Sequence, residues 1–175
     1  DAVLTIDAAV VDAAELHALN GQTTSEINAT AVTGVTGLAA DVKAVLDAAD
    51  DKAGGDNHTI NFNNGAAVAA VGVTITDATL AATEAIDLLG DNSNDDGPLT
   101  SGTITLVSSS IEGTYANCLS VSDGLQTSVG ASAVGLSAMN YIVTDNATDT
   151  QLAVLMADTT GVITSTITGR TLAQL

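Results

Sequence analysis

The segment Asp91-Asn92-Ser93-Asn94-Asp95-Asp96-Gly97 places side-chain oxygens at alternate positions. Calcium loops begin this way, because a hard divalent cation is held by several carboxylate, hydroxyl and carbonyl oxygens. The candidate ligands are Asp91, Ser93, Asp95 and Asp96. The pattern departs from the EF-hand loop: its glycine comes one place late, and no glutamate closes it. A second acidic stretch gathers Asp47, Asp50, Asp51 and Asp56 with Asn57. The competing reading of both stretches is a solvated acidic loop.

Three further aspartates, Asp7, Asp77 and Asp145, recur 70 and 68 residues apart. A metal or catalytic role is one reading. A structural one fits better, because an aspartate between a strand and a helix caps the helix or closes an Asx-turn. Asp7, Asp77 and Asp145 are therefore expected to be structural caps. His17 and His58 stand apart from each other and from Cys118, so the spacing gives no zinc signature. No Ser/His/Asp arrangement, glycine-rich phosphate loop or paired-carboxylate signature is present, and the chain is read as non-enzymatic. Calcium is the one cofactor the sequence suggests. Threonine rows on a flat strand face can bind ice, but a strict Thr-x-Thr ladder at a repeated spacing is missing.

Composition narrows the partners. The net charge is -18, from 21 acids against Lys43, Lys52 and Arg170. Such a surface repels nucleic acid and an anionic membrane. Apolar residues make up 46% of the 175 positions, yet aromatics only 2%, with no tryptophan. The core must be Ala, Val, Ile and Leu, in thin layers. The single cysteine rules out an intrachain disulfide, and no run of about 18 apolar residues reads as a membrane span. Asn28-Ala29-Thr30, Asn57-His58-Thr59 and Asn146-Ala147-Thr148 are sequons that matter only where exported proteins are glycosylated.

The elements that would position these residues repeat. Leu4-Thr5-Ile6-Asp7 is echoed by Thr74-Ile75-Thr76-Asp77 and Ile142-Val143-Thr144-Asp145. Later in each unit come Val32-Thr33-Gly34, Ile111-Glu112-Gly113 and Ile167-Thr168-Gly169, where a strand is expected to turn sharply. Alternation predicts strands over 4–6, 27–32, 59–62, 73–76, 103–111 and 133–139. Helices are predicted over 13–19, 39–49, 81–89 and 115–121. Asp12 with Glu15, and Thr148 with Gln151, have capping-box spacing. Residues 90–98, with the only proline, read as an inserted surface loop.

The 70-residue echo predicts one continuous repeat array over 1–175, with repeats at about 4–72, 73–140 and a truncated 141–175. The expected fold is a β-rich α/β solenoid of β-helix-like coils with short outer helices. Asp1 and the segment 170–175 read as interior parts of repeats, which suggests a piece of a longer protein.

Thr76-Asp77, Ile111-Glu112-Gly113 and Ala40-Asp41-Val42 carry a resemblance across the whole chain. The pattern resembles the repeats of giant cell-surface, adhesin-like proteins of marine cyanobacteria. Similar strings occur in cyanophage structural proteins. The glycine–aspartate nonapeptide of haemolysin-type calcium repeats is absent, so calcium binding is not implied by the resemblance. What it implies is a structural segment of a large extracellular surface, adhesive or filament-forming protein. Its expected partners are neighbouring repeats of the same protein or other copies of itself. A viral fibre or decoration protein, and a calcium-dependent adhesion module, are the alternatives.

Overall fold

Alanine-rich stretches between the strands hold high helix propensity over two or more turns, so the connections form helices rather than tight corners. The computed structural model describes residues 4–49, 59–62, 71–89, 100, 102–108, 110–127, 133–134 and 136–167. The chain opens with β1 (Leu4–Thr5), β2 (Val10–Asp12), α1 (Ala13–Asn20), β3 (Ile27–Asn28), β4 (Gly34–Gly37) and α2 (Ala39–Ala49). It continues through β5 (Ile60–Asn61), β6 (Gly72–Ile75), β7 (Thr79–Ala81), α3 (Ala82–Leu89), β8 (Ile104–Leu106) and β9 (Ser110–Gly113). After α4 (Tyr115–Thr127) come β10 (Ala133–Val134), a 3-10 turn (Leu136–Ala138), β11 (Asn140–Ala147), α5 (Asp149–Asp158) and β12 (Ile163–Ile167).

The strands form three sheets, of order β1-β3-β5, β10-β8-β6-β4-β2 and β12-β11-β9-β7. Every pairing is parallel. Parallel neighbours need a crossover, and the helices supply it. The five helices pack against one another in chain order.

Each sheet sends one column of apolar side chains inward. Leu4, Ile27 and Ile60 stand in register in the first. Val11, Val35, Val73 and Ile104 do so in the second, and Leu80, Ile111, Tyr141 and Ile163 in the third. Helices close the core with small faces: Ala39, Val42, Val45 and Leu46 of α2, and Ala82, Ala85, Leu88 and Leu89 of α3. Phe62 and Tyr141 are the aromatic side chains buried in this core among the described residues.

This arrangement corrects the expected fold class. The chain is a mixed α/β fold of three parallel sheets and five helices, and no β-rich solenoid of β-helix-like coils is indicated. Helix accounts for more of the described residues than strand does. The physical reason lies in where the echoed segments go. Leu4–Thr5 joins the three-stranded sheet, Thr74–Ile75 the five-stranded one and Ile142–Val143 the four-stranded one. Similar strings therefore do not stack on one another. They recur because strands of any of these sheets need the same alternation of threonine and aliphatic residues.

A second local device was invisible in the sequence. The Thr100 hydroxyl donates to the Val71 carbonyl at 2.7 Å and accepts from the Gly102 N–H at 3.0 Å. Thr159 repeats this, donating to the Met139 carbonyl at 2.7 Å and accepting from the Gly161 N–H at 2.9 Å. Both threonines are buried. The glycine two places on lies so close that a Cβ would overlap the Val71 or Met139 carbonyl. We expect Gly102→Ala and Gly161→Ala each to destabilise the fold by about 1–3 kcal/mol in urea unfolding, the cost of overpacking a rigid contact. Gly21→Ala, with its nearest atom 3.6 Å away and φ of -67°, should change stability by less than about 1 kcal/mol.

Candidate functional site

The first N–H groups of a helix have no partner within the helix, so something must meet them. In this fold the next strand along each sheet does so, and register decides which residue arrives. Gly37 of β4 pairs with Ile75 of β6. Two residues further on, Ala39 at the start of α2 faces Asp77, and its N–H donates to Asp77 Oδ2 at 2.7 Å. Gly113 of β9 pairs with Val143 of β11 in the same way. Two residues on, the Tyr115 N–H at the start of α4 donates to Asp145 Oδ1 at 2.6 Å. A carboxylate there also meets the positive end of the helix dipole.

Helices α1 and α3 are met differently. Asp12 pairs with Thr36, so the next residue, Ala13, which starts α1, faces Gly37. Ala81 pairs with Glu112, so Ala82, which starts α3, faces Gly113. A Cβ on Gly37 would lie 2.8 Å from the Ala13 Cβ, and one on Gly113 would lie 2.7 Å from the Ala82 Cβ. The residue facing each helix start thus runs glycine, aspartate, glycine, aspartate from α1 to α4. Three helices carry local caps: Asp12 Oδ1 accepts from the Glu15 N–H at 3.1 Å before α1, Thr114 Oγ1 accepts from the Asn117 N–H at 3.3 Å before α4, and Thr148 and Gln151 close a full capping box before α5.

The recurrent aspartates therefore divide. Asp77 and Asp145 each meet a helix that lies 38 and 30 residues earlier, not the helix that follows them. Asp7 is exposed and makes no hydrogen bond among the described residues. It follows β1 at a corner where its neighbour Ile6 donates to the Asn28 carbonyl at 2.8 Å. Among the described residues no helix start faces that corner.

The other candidates scatter. Asp91, Ser93, Asp95 and Asp96 lie outside the described residues, as do Asp50, Asp51, Asp56, Asn57 and His58. Asp47 is described, and pairs with Lys43 one helical turn away at 2.7 Å on the exposed side of α2. His17 is exposed in the last turn of α1. Asn28, in a sequon, turns its Oδ1 onto Thr30, accepting from that residue's N–H at 3.2 Å and hydroxyl at 2.8 Å. Among the described residues no three His, Cys, Asp or Glu side chains gather as a metal site. Among the same residues, no helix is long and apolar enough to cross a membrane.

Cys118 is buried between α4 and its neighbours. Burial, and then the nearby Asp145 carboxylate, push its thiol from an ordinary 9.0 up to about 11. Burial also raises the Tyr141 phenol well above its usual range, with Cys118 and Asp158 adding to the effect. These groups are kept neutral, which suits packing and not nucleophilic chemistry.

What the described surface does offer is apolar area at the ends of the sheets. Beside the β2 edge and α1 lies an open groove of about 280 Å³, lined by Ile6, Val10, Val11, Leu16 and Leu19, with Asp12 and Glu15 also contributing. Val10 is 61% exposed. At the other end of the helix order, Val154 and Met156 of α5 and Val162 before β12 are exposed too. Sequence reasoning missed both faces, because exposure of an apolar residue depends on which neighbour its strand lacks.

Comparison with known proteins finds no matching family model, no similar curated protein and no similar solved structure.

Two expectations follow. Asp77→Ala should lower stability by about 1 kcal/mol, the usual cost of losing a cap, while Asp7→Ala should leave the urea midpoint almost unchanged. The second concerns pH. The folded Cys118 holds its proton more tightly than the unfolded one, so stability is intact below pH 9 and falls as pH rises towards about 11. Cys118→Ala should remove the part of that decline between pH 9 and 10 in thermal melts and lessen it above, where Tyr141, raised from an ordinary 10.0, also contributes.

Proposed function

We propose that this chain is a non-enzymatic structural segment of a large extracellular surface, adhesive or filament-forming protein. The observation that carries this reading is the way the core is distributed. It is spread along three parallel sheets as columns of aliphatic residues, and those columns run to the sheet edges without a polar member to close them. Units of this kind are built to abut others of their kind. The excess of 21 acids over three bases supports a hydrated, mutually repelling outer surface suited to an exposed position. The resemblance to giant cyanobacterial surface repeats points the same way. The buried Thr100 and Thr159, the partly buried Asp77 and the exposed Asp145 serve structure: all four bond backbone.

The test is the native gene product in its source. An antibody raised against this chain is used on denaturing gels of whole cells and of cells treated externally with protease. The expected result is a band of hundreds of kilodaltons that external protease removes. A protease-resistant intracellular product near the 17.2 kDa of this chain would overturn the reading.

A further inference from the structure

The outward face of the five-stranded sheet carries a threonine array that sequence spacing hides. Val35, Val73 and Ile104 point into the core, so the residue after each points out. Those residues are Thr36, Thr74 and Thr105. Pairing sets them side by side on three adjacent strands, Thr36 opposite Thr74 and Thr74 opposite Thr105. Two more threonines extend the array along the strands. Thr76 lies two residues past Thr74, and Thr103 two before Thr105; both are exposed. The steps from Thr36 to Thr74 and from Thr74 to Thr105 are 38 and 31 residues, so no fixed period announces the ladder. Register makes it.

We propose that this face binds ice, an activity separate from the structural role proposed above. Geometry is the first support. Neighbouring strands lie about 4.8 Å apart, and alternate residues along a strand about 6.6 Å apart. These intervals are close to the two repeats of the prism face of hexagonal ice. Threonine is stiff at χ1, so its hydroxyl and methyl groups are held on that grid before any ice arrives. The hydroxyls can join the lattice as donors and acceptors while the methyl groups cage the water between them.

The second support is that these hydroxyls are unengaged. Among the described residues, none of the five makes a side-chain hydrogen bond. Thr33, Thr79, Thr100, Thr159 and Thr160 each bond another group of the protein. The third support is charge. The chain carries 21 acids, yet the array and the residues flanking it in register, Gly34, Gly72, Leu38 and Val107, bear no charge. Asp12 enters only at the β2 end of the Thr36 row. A face kept for solubility alone would share in the acidity of the rest. The outward columns of the other sheets do differ: Glu112 stands between Ala81 and Ile142 in one, and Asn28 and Asn61 pair in the other. No aromatic ring lies on the threonine face, so it offers no platform for stacking the sugars of a crystalline glycan.

Ice-affinity partition tests this. A dilute solution of the full chain is frozen slowly from a cold surface with stirring, and the chain is measured in the ice and in the remaining liquid. Thr74→Lys and Thr103→Lys put a bulky charge into the array. Thr164→Lys makes the same change at an exposed position of β12, in another sheet. Circular dichroism checks that each folds; if Thr74→Lys does not, Thr103→Lys decides alone. The wild-type and Thr164→Lys chains are expected to enter the ice several-fold enriched over a co-dissolved dye, and to keep ice crystals small on annealing. Thr74→Lys and Thr103→Lys should be rejected by the ice as the dye is. A wild-type chain excluded from ice would overturn the inference. So would array variants that partition like wild type, or a loss in Thr164→Lys as large as theirs. A wild-type chain that adheres to crystalline cellulose and not to ice would overturn it in favour of a glycan surface.

Discussion

Parallel pairing in fixed register ties the parts of this structure together. A strand that pairs parallel cannot return through a tight turn, so each unit must spend a longer connection before its next strand. Here most of those connections contain a helix of 8 to 13 residues. Each such helix begins beside a sheet edge, and its exposed first N–H groups fall opposite whatever residue the next strand delivers two places past a pair, or one. A slip of one residue would bring Thr76 or Ala78, and Thr144 or Asn146, to those points in place of a carboxylate, and would turn the inward column outward. Caps, columns and glycine positions are thus consequences of one alignment.

That alignment also explains the composition. Where the residue opposite a helix start is glycine, the helix begins with alanine, and the two backbones come together with no room for another methyl group. Where it is aspartate, the strand stands off and a carboxylate bridges the gap. Layers held this closely favour Ala, Val, Ile and Thr over large rings. The exception, Tyr141, sits in a column between Ile111 and Ile163, and its burial is what raises its phenol pKa.

Local features were legible in the sequence. Helix 39–49 is read from Val42, Val45 and Leu46 and is observed as Ala39–Ala49. The caps at Asp12 and Thr148 are read from spacing, because both are contacts within one turn; Thr148 closes a full capping box and Asp12 makes the forward bond of one. Long-range features were not legible. The run 103–111 reads as one strand, yet it makes β8 in one sheet and β9 in another, turning the corner at Val107 and Ser108. Alternation alone does not say which sheet a segment joins. The aspartates at 7, 77 and 145 look equivalent in sequence, but only the last two lie across from a helix start, and each serves a helix long past. The 70-residue echo misled the fold assignment for the same reason. It records a shared local pattern, and three different sheets use that pattern.

Parallel sheets with bare edges carry a hazard, since any edge can recruit another chain. Short strands limit the hazard here: β1, β3, β5 and β10 contribute two residues each, too few to pair alone. Any chain joining an edge would therefore have to cover the apolar residues beside it as well as satisfy the backbone. Those residues include exposed Val10 and the partly buried Val11 and Ile163. A flat hydrophobic strand from an unrelated chain would satisfy the backbone and leave those side chains wet. The acidic surface adds a second filter, because every approach brings like charge together before any apolar contact forms. Short strands and a repelling surface thus both act against unselective pairing at the sheet edges.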